Sequence, residues 1–393
     1  MANQTTTQEP PQHLITSTPF QGLKDLPIPL YDFQCVTHKH EILICGGYEQ
    51  SKCYSYHTLK NQYKFICEYP SDITLDGYCV VKLTDNNNKD KNQITLLSFG
   101  GSDYQKRYTL VMKYVSVWGN DNNNIDDNEM NKSKDYNQWI PFTDNHNQPI
   151  IIGRNGYGFH GARAVIGGSN DHLLFITYYP YDISVFNLNT FQFIKHDFLP
   201  DIHHIRAYHH CFVLVSENEQ ETMKKNYGML LFSRTKGLLI LYDEDDDTFQ
   251  FRKASVCADI SQFSYYAYVL INDIILFFGG LNNNNGDLSK SVYKYSIQED
   301  EWTTFQDILP STLHNGVAIL SEDESDIHII GGQHDLHNAV STHMKTKVRI
   351  WDNSQLLKNE VKLIIKYWIR TLKIKLGWID DFDQIIFKYS RNI

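Results

Sequence analysis

Histidine is the residue type to weigh first, because neutral imidazole binds transition metals and changes charge close to neutral pH. His203, His204, His209 and His210 crowd one stretch of the chain, and His334, His337 and His343 crowd another. Zinc asks for ligands at tight and regular spacing. His203 and His204 are adjacent, so in a strand they point to opposite sides. Neither stretch reads as a metal centre, and recognition is the better use for them. The surrounding loops carry Tyr104, Arg107, Arg154, Tyr157, Arg206 and Tyr208, the aromatic and guanidinium types that anchor protein interfaces. With His203, His204, His334 and His337 they make up the candidate partner-binding set.

Other chemistry is thin. The run Tyr242-Asp243-Glu244-Asp245-Asp246-Asp247-Thr248 has the charge for calcium. It lacks the central glycine and distal glutamate of a calcium loop, so it reads as a solvated turn. The seven cysteines, at 35, 45, 53, 67, 79, 211 and 257, form no CxxC pair. Most lie in apolar runs such as Ile42-Leu43-Ile44-Cys45, which fits reduced, buried thiols and a cytoplasmic protein. The first twenty residues have neither a basic start nor an apolar core, so no export signal is expected. No apolar run reaches the ~18 residues of a membrane span. A net charge of −10 argues against nucleic acid as partner. No catalytic residues, metal or cofactor are expected.

The elements that would position these residues are strands. Aromatic side chains make up 13% of the chain, with 25 Tyr and 21 Phe, and flat rings suit pleated surfaces. Four segments read as a buried strand ending in a glycine pair: Ile42–Gly47, Leu96–Gly101, Ile275–Gly280 and Ile327–Gly332. The pair lets the chain leave the strand with positive φ. A second signal follows: Tyr56, Tyr242 and Tyr295 each precede a large aromatic by seven residues, namely Tyr63, Phe249 and Trp302. A tyrosine closing one strand and an aromatic opening the next describe an antiparallel hairpin.

These residues resemble the kelch repeat, an apolar strand, a Gly-Gly pair, then spaced Tyr and Trp, with a period near 50. The resemblance implies four-stranded blades around a channel. Counting gives an all-β, six-bladed β-propeller over residues 16–352, with residues 1–15 disordered. Blade 6 is expected to use Val317–Leu320, Ile327–Ile330 and Thr346–Trp351, and to borrow its fourth strand from the N-terminus. Thr18-Pro19-Phe20-Gln21 there echoes Thr303-Thr304-Phe305-Gln306 of blade 5. Blades 3 and 4 lack the glycine pair, carrying Tyr178-Tyr179 and Arg234-Thr235 instead.

Two segments stand apart. Residues 119–135 are Asn-rich and almost without apolar side chains, a disordered insertion in blade 2 by composition. Residues 353–393 have helical periodicity, with Leu357, Val361, Ile364, Ile365, Trp368 and Leu372 on one face and lysines beside them. They are expected to form a short amphipathic helical hairpin, either docked on the propeller or contacting a calmodulin-like partner or membrane surface. The functional expectation is a non-catalytic scaffold. One face of the propeller would present its loops to a protein or peptide, as kelch adaptors of cytoskeletal or ubiquitin-ligase assemblies do. The alternative is a kelch-fold metal or small-molecule enzyme with its site in the channel.

Overall fold

The computed structural model describes residues 18–84, 92–101, 107–119, 136–153, 158–200, 209–215 and 226–352. The expected disordered N-terminus (1–15), the body of the Asn-rich insertion and the helical tail (353–393) lie outside the described residues. Six four-stranded antiparallel sheets account for nearly all the strands. Blade 1 comprises Gln34–His38, Glu41–Gly47, Gln50–His57 and Gln62–Glu68; blade 2 comprises Cys79–Leu83, Gln93–Gly100, Tyr108–Val115 and Ile140–Pro141. Blade 3 comprises Arg163–Gly167, Leu173–Tyr178, Asp182–Asn187 and Gln192–Phe198; blade 4 comprises Cys211–Val215, Asn226–Ser233, Lys236–Asp243 and Thr248–Ala254. Blade 5 comprises Ala267–Ile271, Ile274–Phe278, Val292–Ser296 and Glu301–Thr304. Blades 3 and 4 are four-stranded despite lacking the glycine pair, with one register shift at Val185–Phe186 in blade 3.

Blade 6 takes Val317–Leu320, Asp326–Ile330 and His343–Lys347 from the C-terminal side. Its fourth strand is Gln21–Gly22, which pairs with Lys345 and Met344. The ring therefore closes with an N-terminal strand, which gives blade 6 four strands like its neighbours. One boundary differs from the sequence expectation. The third strand of blade 6 is His343–Lys347, not Thr346–Trp351, and Val348–Trp351 forms a helical turn. That turn drives the Trp351 ring against Phe20, Phe278 and Phe305, with ring centroids 5.6, 6.1 and 4.9 Å away. Burying so large a ring outweighs one more ladder pair.

Apolar side chains from facing blades fill the gaps between sheets. Leu43, Cys45, Cys53 and Tyr69 of blade 1 meet Val80, Leu96, Met112 and Trp139 of blade 2. The glycine pairs sit where chain crosses chain. At Gly279 (φ +70°) a Cβ would lie 2.2 Å from the Leu313 carbonyl oxygen, so only glycine fits there. The tyrosine-to-aromatic step also has a structural cause. The hydroxyls of Tyr56, Tyr242 and Tyr295 donate to Asn61, Asp247 and Asp300 at 2.9, 2.6 and 2.7 Å. Each acceptor turns the chain with φ near +50°, and the next strand's aromatic follows two residues later.

Candidate functional site at the channel mouth

Because strands alternate in direction, the links into each first strand and the turns after each second strand emerge on one face. Two residues before every first strand stands a left-handed residue: Asp32, Gly77, Gly161, His209, Tyr265 and Asn315, with φ of 52°, 60°, 65°, 48°, 58° and 54°. These six positions circle the mouth of the channel. Main-chain bonds knit them together, from Gly161 N to Gly77 O (2.6 Å), His209 N to Gly161 O (3.2 Å), Asn315 N to Tyr265 O (2.8 Å) and Asp32 N to Asn315 O (3.3 Å). Non-glycine residues resist this conformation, although the hairpin turns use it as well, at Asn61, Asp247 and Asp300 among others. Four of the six carry a side chain, and none is aliphatic.

Inside the ring lies a cavity of about 180 Å³, whose lining includes Asp32, Gln34, Arg163, His209, Tyr265 and Asn315. His209 Nδ1 is 3.0 Å from Asp32 Oδ1 and 3.4 Å from an Arg163 guanidinium nitrogen. The amide of Gly77 donates to the second Asp32 oxygen at 3.1 Å. Burial pushes the Asp32 carboxyl up, but His209, Arg163 and His160 together outweigh it and hold the group below the usual carboxylate range. His160, 3.0 Å from Asp76, binds its proton more tightly than usual because of that partner. Asn315 donates to Gln333 at 3.2 Å, while its buried Oδ1 has no hydrogen-bond partner among the described residues. A second hollow of about 110 Å³ shares His209 and Tyr265 and reaches Arg234 and Asn283. The mouth thus offers donors, an unfilled acceptor and near-balanced charge in a concave site.

Of the sequence-derived set, Tyr104, Arg154, Tyr157, His203, His204, Arg206 and Tyr208 lie outside the described residues. Arg107 is half-buried and rests against Gly153. His334 approaches Ser311 at 3.0 Å, and His337 is exposed in a turn closed by Asp335. His343, grouped with these by sequence, is elsewhere: it is buried between blades 6 and 1. The mouth residues Asp32, Arg163, Tyr265 and Asn315 escaped the sequence reading. Their only shared signal is position, two residues ahead of an apolar strand or, for Arg163, at its start.

Other polar clusters do different work. Glu244 of the acidic run reaches across to blade 3 and accepts from the Ser169 hydroxyl and amide at 2.9 and 3.0 Å. Asp182, His196 and Ser184 are strung at 3.2 and 3.2 Å, the residue types of a hydrolase triad. Ser184 is fully buried and also bonded to Tyr178 at 2.9 Å, so no substrate reaches its oxygen. Among the described residues no three His, Cys, Asp or Glu side chains group as a metal centre. None of the described helices is long and apolar enough to cross a membrane.

Comparison with known proteins agrees with this architecture. The family model described as "Kelch motif" matches residues 262–307, which span blade 5. No curated protein matches the sequence. The solved structure described as "Structure of YjhT" is similar with a TM-score of 0.53 at 12% identity, covering 82% of this chain and 95% of that one. A likeness at that identity concerns the fold alone.

Proposed function

We propose that this six-bladed propeller, with its kelch motif, is a non-catalytic binding module that receives a segment of a protein partner at the channel mouth. One observation carries the reading: four left-handed links place Asp32, His209, Tyr265 and Asn315 around a cavity that holds Arg163 and a buried acceptor with no hydrogen-bond partner among the described residues. Arg107, His334 and His337 belong to turns on the same face and would form the rim. Work as an adaptor in cytoskeletal or ubiquitin-ligase assemblies, in the cytoplasm, is the setting we favour, consistent with the buried thiols at Cys45, Cys53 and Cys67.

The rival reading, a small-molecule enzyme in the channel, draws on the same Asp32–His209 pair. The deciding experiment is capture from lysate with the full chain as bait, beside an Arg163→Ala, Asn315→Gly double variant of matched melting temperature. Loss of one partner in the variant supports the module. An unchanged partner set, with a small metabolite that shifts the melting of the wild type alone, supports the enzyme.

A further inference from the structure

Blades 1 to 6 follow one another along the chain, but the seam between blades 6 and 1 depends on the N-terminal strand. Its hold is short. Beyond Gln21 and Gly22, Leu23 N donates to His343 O and Leu26 N to Ser341 O, both at 2.8 Å, and Leu30 N to Val340 O at 3.3 Å. The residue that accepts from Leu23 also fills the seam. The His343 ring is buried, 2.9 Å from His328 through Nε2 and Nδ1, and 2.5 Å from the Tyr63 hydroxyl of blade 1 through its other nitrogen. Tyr56 of blade 1 covers both imidazoles, at centroid distances of 5.9 and 4.4 Å.

We propose that this seam is an acid-operated latch: protonation of the His328–His343 pair releases the N-terminal strand and opens the ring there, before blades 2 to 5 unfold. The geometry of the pair is the reason. A nitrogen–nitrogen contact of 2.9 Å has room for one hydrogen, donated by one ring and accepted by the other. Two imidazolium rings would set N–H against N–H, so the pair accommodates one proton and cannot hold two. The first is already unwelcome, because the site is dry.

The charged groups around the pair do not rescue it. Asp326 and Asp323 favour the proton on His328, whereas Lys345 and Lys347 oppose it. Asp326 is already engaged by both lysines, at 3.3 and 2.7 Å. From blade 1 come the neutral phenols of Tyr56 and Tyr63, and Asp25 of the N-terminal segment lies near Tyr63. Burial therefore dominates, lowering His328 to about 4 and His343 well below its ordinary value. The effect is regional. His38, His57, His314 and His334, the other described histidines clearly lowered, also belong to blades 1 and 6 or their turns. His160, between blades 2 and 3, shifts the opposite way.

The sign follows directly. A histidine whose folded pKa is depressed contributes stability above its unfolded value near 6.5, and loses it as pH falls from there toward the folded value. Each such group makes opening about tenfold easier per pH unit across that window.

Hydrogen exchange of the full chain between pH 7 and pH 5 tests the latch, read as a ratio that cancels the intrinsic rate. Exchange at Leu23 and Leu26 should rise about tenfold or more relative to Leu174 and Phe175 of blade 3. In His328→Phe, and separately in His343→Gln, that relative rise should shrink. If either variant does not fold, the wild-type ratio decides alone. A constant ratio across the range overturns the proposal, as does a folded His328→Phe protein with an undiminished acid response.

Discussion

Phe20 packs on Trp351 with ring centroids 5.6 Å apart, so the N-terminal strand is fastened to the last described helical turn as well as to its sheet partner. Both rings are buried. Phe20→Ala should cost ~3–5 kcal/mol, the usual range for a buried aromatic, and Trp351→Ala a similar amount. The double variant should cost less than the sum by ~0.5–1.5 kcal/mol, the coupling of an aromatic pair. Denaturant unfolding of the four proteins measures this, and strict additivity would show that the two rings do not act together.

Tyr295 and Asp300 give the second prediction. Their 2.7 Å bond ties the end of one strand to the left-handed residue of the following turn. Tyr295→Phe removes a hydroxyl and leaves the ring, so ~1–2 kcal/mol should be lost. Asp300→Asn keeps both an acceptor and a residue tolerant of positive φ, whereas Asp300→Ala keeps neither. The order of melting temperatures should be wild type, then Asn, then Ala.

These turns also show what was legible in the sequence. The seven-residue step from Tyr295 to Trp302 was readable because strand period and aromatic pairing are local. Its cause, the asparagine or aspartate at the fifth position, was hidden among ordinary turn residues. The six-blade count and the borrowed strand were legible from the same local repeats. The third strand of blade 6 was misplaced because Val348 and Ile350 alternate like a strand, while Trp351 finds its partners across a sheet interface. The mouth was harder still. Asp32, Gly77, Gly161, His209, Tyr265 and Asn315 share a backbone conformation and no chemistry, so no motif announces them. Tyr265 is not a residue type that advertises positive φ.

His160 and Asp76 carry a pH prediction of opposite sign to the latch. Asp76 is the main cause of the raised His160 pKa. A raised histidine contributes stability below its unfolded pKa, lost as pH rises through the folded value. Asp76→Asn should therefore lower the His160 ring titration, and cost more stability at pH 6 than at pH 8.5. Ring proton shifts and thermal melts at the two pH values check both halves. An Asn variant with an unmoved titration would mean that Asp32 and the surrounding dipoles hold the proton instead.

Gly77 tests the ring itself. A Cβ there would lie 2.3 Å from the Gly161 nitrogen and 2.6 Å from His160 Nδ1, at φ +60°. The Gly161 amide donates to the Gly77 carbonyl, so neither chain has room to retreat. Gly77→Ala should destabilise by ~2 kcal/mol or more. Asn315→Gly, at the equivalent link, relieves strain instead and should be near neutral. Equal losses at the two positions would show that the links are not equivalent parts of one ring.

The last prediction separates the centre of the mouth from its rim. Binding energy concentrates in central, desolvated residues, and rim contacts contribute less than ~1 kcal/mol each. Arg163 lines the cavity beside Asp32 and His209, whereas His337 is exposed. Once a partner is in hand, Arg163→Ala should weaken it by ~2 kcal/mol, about thirtyfold, and His337→Ala by less than fivefold. Arg107→Ala should resemble His337→Ala. Removing Arg163 also leaves the Asp32–His209 pair without its neighbouring cation, so part of the loss would be electrostatic and should diminish in high salt. Titration calorimetry of the three variants at two ionic strengths reads all of this. If His337→Ala or Arg107→Ala proves the costlier change, the partner sits on the outer loops and the cavity is only the end of the channel.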